Sequence, residues 1–123
     1  MITNDSLIWN YNRNVTLYSK VYLADLTHAQ SLAQPPIEGN CINWILGHIV
    51  AYRNYALKMC QLAPAVSDAV EQRYAKDSAP VLANGSDAVQ FEVLRQAYFD
   101  GHDRLMAYVA TMSAEQAAEI VST

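Results

Sequence analysis

Apolar side chains recur along most of this chain at spacings of three and four residues, and two proline-bearing stretches cut the recurrence into separate lengths. Such a pattern commits the backbone to amphipathic helices joined by loops, and no stretch shows the convincing alternation of a half-buried strand. In the first length, Ile8, Tyr11, Val15, Tyr18, Tyr22 and Leu26 draw one stripe down a helix expected over Ser6 to Thr27, with Asn4, Asp5 and Ser6 as N-cap candidates. Gln34-Pro-Pro-Ile-Glu-Gly39 breaks it, because proline cannot continue the hydrogen-bond ladder and Gly39 permits a turn. Asn40 is then expected to cap a second helix running to Cys60 or Leu62. From Gln61 to Ser86, Pro64, Pro80 and the Asn84-Gly85 pair mark a connection long enough to cross from one end of a bundle to the other, with one short helix over Ser67 to Lys76. A third long helix is expected from Asp87 to Met112, with Val89, Val93 or Leu94, Ala97 or Tyr98, Gly101, Leu105 and Val109 on its apolar side. Ser113 and Gln116 have the spacing of a capping box that opens a further helix.

At 123 residues the chain suits one domain, over positions 1–123, and its 52% hydrophobic content suffices for a core. The charged fraction of 16% is low beside the usual value of roughly 25%, which fits apolar surface reserved for a partner. A net charge of -4 without any Lys/Arg cluster argues against nucleic acid as that partner. No apolar run approaches the roughly 18 residues of a membrane span, and Met1 to Asn14 has neither a basic start nor a continuous apolar stretch. The expectation is a cytoplasmic protein. Cys41 and Cys60, at opposite ends of one helix, would lie roughly 28 Å apart and could not pair, so they read as small packing groups in a reducing compartment.

Chemistry is concentrated in Asn40-Cys-Ile-Asn-Trp-Ile-Leu-Gly-His48-Ile-Val-Ala-Tyr-Arg-Asn-Tyr55. Asn40, Trp44 and His48 are spaced i, i+4, i+8 and drift only about 40° around a helix axis, so they share a face, and His48 is expected within an apolar one. An imidazole placed there needs a carbonyl, a carboxylate, water or a metal ion for each ring nitrogen. Trp44 and Tyr52, one turn to either side, are candidate pocket-lining residues. His48 is the candidate metal ligand. His102, beside Gly101 and flanked at helical spacing by Tyr98, Leu105 and Met106, is a secondary one, and His28 reads as an exposed or capping residue. The chain has no Gly-rich phosphate loop, no Cys-x-x-Cys and no nucleophile-elbow serine.

The segment Leu26-Thr-His-Ala-Gln-Ser-Leu-Ala-Gln-Pro-Pro-Ile-Glu-Gly-Asn40, followed by Ile42-Asn-Trp-Ile-Leu-Gly-His-Ile-Val50, resembles the DinB/YfiT-like metalloenzyme superfamily. The resemblance implies an all-α fold, a DinB-like four-helix bundle of variant up-and-down topology, with His48 of the Trp-x-x-x-His element as first metal ligand. In metal-binding members the other two ligands come from a His-x-x-x-His pair on the fourth helix, and this sequence contains no such pair. It therefore reads as three long helices with the fourth truncated or missing. A divalent transition metal normally needs three protein ligands, so His48 alone cannot hold one.

Three sides of such a bundle leave an apolar groove that must be covered, and a homodimer is the expected cover. Two functions stay open. By resemblance the chain is a metal-dependent hydrolase or a thiol-dependent transferase, with zinc or nickel at His48 polarising water or a thiol, the remaining ligands coming from a partner chain or a lost C-terminus. The alternative is a non-catalytic helical dimerisation or interaction module that keeps the bundle and uses Trp44 and His48 as packing.

Overall fold

A computed structural model describes residues 9, 10, 12–14, 17 and 23–116. Among them every regular element is helical and no strand occurs. Residues 9, 10, 12–14 and 17 have helical backbone, whereas the N-cap candidates and the stripe residues Ile8, Tyr11, Val15, Tyr18 and Tyr22 lie outside the described residues. Four complete helices follow: α1 (His28–Ser31), α2 (Ile42–Met59), α3 (Asp68–Arg73) and α4 (Phe91–Thr111).

The expected run of the first helix to Thr27 is corrected. Residues 23–25 form a bend and turn, and Thr27, extended at φ -84° and ψ 163°, starts a new helix. Its hydroxyl accepts from Gln30 N–H at 3.1 Å while the Gln30 side-chain oxygen accepts from Thr27 N–H at 2.9 Å, a reciprocal capping box that opens α1.

Asn40 does not cap α2. The cap position belongs to Cys41, whose thiol is turned onto the Val81 carbonyl instead of the helix end. At its other end α2 closes with a Schellman motif: Leu62 N–H reaches Leu57 O at 2.9 Å and Gln61 N–H reaches Lys58 O at 3.0 Å, with Gln61 at φ 60°. Cys41 and Cys60 flank the helix and are both free, and burial pushes the Cys60 thiol up, away from thiolate character.

The two long helices run side by side in the same direction. Near their starts Asn43 donates to Val89 O at 3.0 Å, and further along Arg53 donates to Tyr98 O at 3.0 Å while Gly101 lies against Arg53 and Leu57. Parallel neighbours need a connection that returns the full length of the pair, and the proline-bearing stretch between α2 and α4 does this with α3 inside it. α3 is capped by Ser67, whose hydroxyl accepts from Val70 N–H at 3.3 Å. The N-terminal residues pass along α4 the opposite way, since Arg95 donates to Leu23 O and Ala24 O while His102, two turns on, meets Asn12.

The buried face of α2 is Asn43, Leu46, Gly47, Val50, Ala51, Asn54 and Leu57. That of α4 is Phe91, Leu94, Ala97, Tyr98, Gly101, His102 and Met106. Of the residues expected inward on α4, Val93 is instead 51% exposed, so Leu94 is the core residue, and Leu105 and Val109 are only half-buried. α4 also begins later than Asp87: Gln90 is its cap, and Val89 before it donates its N–H to Tyr74 and accepts from Asn43 at its carbonyl. Ser113 and Gln116 form the expected capping box, at 2.8 and 3.2 Å.

The described residues thus form an all-helical domain of two long packed helices and two short ones, not a clear four-helix bundle. No described helix is long and apolar enough to cross a membrane.

Candidate functional site

Trp44, His48 and Tyr52 do form a column on α2, at the edge of the core and not within it. The indole stacks on the imidazole, with ring centroids 4.7 Å apart and planes at 13°, and Tyr52 meets the other side edge-on at 4.8 Å and 82°. Both inner members are fastened to the connection. Trp44 Nε1–H donates to Ser78 Oγ at 3.1 Å, and His48 Nδ1 lies 2.9 Å from the Tyr74 carbonyl. A carbonyl only accepts, so Nδ1 carries the proton, and in the neutral ring Nε2 keeps the lone pair. Asn40, expected on this face, lies outside α2 and is exposed.

The other two imidazoles serve elsewhere. His28 Nδ1 accepts from Phe91 N–H at 3.0 Å, so His28 caps α4, a helix 63 residues downstream, and not its own. His102 is 2% exposed, and its Nε2 lies 2.8 Å from Asn12 Oδ1, facing the N-terminal residues. Burial first, and the nearby Arg53 guanidinium second, hold its pKa below the ordinary histidine value, against a smaller opposite pull from Asp103. The neutral ring is therefore the native form. Stability is full above the ordinary value near 6.5 and falls as pH drops through it toward the lowered folded value, below which the effect levels off. In urea titrations across this window, the wild type is expected to lose stability relative to His102→Gln by at most about 1.4 kcal/mol per pH unit. Parallel curves for the two proteins would contradict this.

Among the described residues no group of three or more His, Cys, Asp or Glu side chains could hold a metal ion. His48 Nδ1 on a backbone carbonyl is the arrangement that commonly orients a metal-ligating histidine, so this side chain fits one ligand position. The described residues do not supply the rest of a site.

The polar groups that organise this region are ones the sequence pattern left unmarked. Tyr74, fully buried in the connection, donates through its hydroxyl to Asn43 Oδ1 at 2.7 Å and accepts from Val89 N–H at 2.8 Å. Its ring lies flat against Gly47, where an added Cβ would come within 2.2 Å of it. Asn54 Oδ1 accepts from Ala65 N–H and Val66 N–H at 2.7 and 3.2 Å, while its amide donates to Glu71 at 2.9 Å. Arg73 gathers the second half of the connection through Ala79 O, Pro80 O and both the carbonyl and carboxylate of Asp87. A detectable signal existed: Asn43, Gly47 and Asn54 are poor helix formers placed on the core-facing side of a helix, where each needs a tertiary reason.

Opposite that face, α2 carries a second apolar stripe. Ile42, Ile45, Ile49, Tyr52 and Met59, with Tyr55 beside them, are 37% to 57% exposed. Together with half-buried Ala56, positions 42, 45, 49, 52, 56 and 59 follow the three-four alternation of a helix-pairing seam. An open groove of about 420 Å³ lies on α4 beside Ala65, lined by Glu92, Val93, Gln96, Ala97 and Asp100. Its carboxylates are each paired with an arginine of the same helix, Glu92 with Arg95 and Asp100 with Arg104, so it offers no uncompensated charge.

Comparison of the chain with family models, with curated proteins and with solved structures finds no match.

Proposed function

We propose that this chain is a DinB-like helical domain that works by association, docking a partner helix on the outer face of α2. The observation that carries the reading is the exposed apolar seam from Ile42 to Met59, on the side of the helix turned away from its own core. A contiguous exposed apolar patch of several hundred Å² is often an interaction site. Trp44 and His48 then hold the connection in place behind the seam, as their bonds to Ser78 and Tyr74 do.

The metal-dependent hydrolase or transferase implied by resemblance is the second reading. It is favoured by one observation, the Tyr74 carbonyl that accepts from His48 Nδ1–H and leaves the Nε2 lone pair for a metal ion, and it needs ligands from outside the described residues.

Photo-cross-linking in living cells tests the first reading. A photoreactive residue at Ile49 is expected to yield a discrete adduct, and the same residue at exposed Asp103 on α4 none. Absence of adducts from both positions would overturn association through α2. Calorimetric titration with zinc and nickel decides the second reading: stoichiometric binding abolished by His48→Ala would replace the association reading with a metal centre.

A further inference from the structure

The spacing of the seam is self-complementary. Its spacings, three, four, three, four, three, read identically from either end, so an antiparallel two-fold brings every seam residue opposite another seam residue. We infer that the occupant of the α2 outer face is α2 of a second copy of this chain, crossing antiparallel about an axis level with Val50 and Ala51. The inference rests on the association reading above and names its partner.

Three layers, each made twice, follow from that axis. Ile42 meets the partner's Met59, Ile45 meets the partner's Ala56, and Ile49 meets the partner's Tyr52. These are the first-with-fourth position layers of an antiparallel helix pair, and Ala56 gives the close approach that Ile45 fills. At the observed exposures the seam and Tyr55 present on the order of 600 Å² per copy, so complete contact buries at most about 1,200 Å², the threshold of specific interfaces.

Charge does not oppose this pairing. α2 contains no Asp or Glu, and its two cations are committed within the chain. Arg53 donates to Tyr98 O at 3.0 Å with its guanidinium over the Tyr98 ring, and Lys58 pairs with Glu71 at 2.9 Å and Asp68 at 3.5 Å. No like charges therefore oppose each other across the axis.

Sedimentation velocity over a wide concentration range is expected to show a reversible monomer–dimer equilibrium. Ile49→Glu should weaken it by at least about a hundredfold, because the pair would bury two carboxylates without partners, while helix content stays unchanged at this exposed site. Orientation is read separately, in a Cys60→Ser background with Cys41 left buried. Two proteins, one with Ile45→Cys and one with Ala56→Cys, should cross-link on mild oxidation only when mixed. A monomer at every concentration, a dimer untouched by Ile49→Glu, or cross-linking of either protein with itself would each overturn the inference. A monomer that still gives an adduct to a different protein from position 49 overturns the self-partner alone. Loss of that adduct as well removes the association reading with it.

Discussion

Gly47→Ala is expected to destabilise the protein by about 3 kcal/mol or more, although alanine is intrinsically the better helix former by about 1 kcal/mol. The new methyl would sit 2.2 to 2.5 Å from three carbons of the Tyr74 ring. That ring cannot step aside, because it is wholly buried and its hydroxyl is held between Asn43 and Val89. The strain must then separate α2 from the connection or expel Tyr74 from the core. A fall in the urea midpoint measures the effect; a rise would mean that the ring does not pack on Gly47.

Asn54→Ala is expected to cost about 3 kcal/mol, most of it from groups left behind. Two backbone N–H groups, of Ala65 and Val66, lose their acceptor, and Glu71 loses its amide donor while keeping Lys58. The damage should be local. Hydrogen exchange is expected to quicken from Ala65 through Tyr74 more than in the middle of α4. Uniform acceleration across both regions would show that the connection and the helix pair open as one unit.

The helices that carry the domain were legible because their signals are local. Periodicity located α2 and α4, Ser67 and Ser113 marked helix starts, and two prolines marked the crossover. What failed required knowledge of a distant partner. Asn40 looked like the cap of α2, yet the chain turns the next residue into that place because Cys41 packs on Val81. Val93 and Leu94 were equivalent by spacing, and only the position of α2 decided between them. The partner type for His48 was legible, since a carbonyl was among the few acceptable neighbours, but not that it belongs to Tyr74. The outer seam of α2 was hidden for another reason: a helix apolar on two sides blurs its own period.

Parallel placement of α2 and α4 also shapes how the chain reaches this structure. Contacts such as Asn43 with Val89 and Arg53 with Tyr98 join residues 46 and 45 positions apart, so neither forms until a large loop has closed. An antiparallel helical hairpin closes through a short turn and gains contacts as it zips. Here the α2–α4 contacts return nothing until the whole connection has closed, which is expected to slow folding relative to such a hairpin.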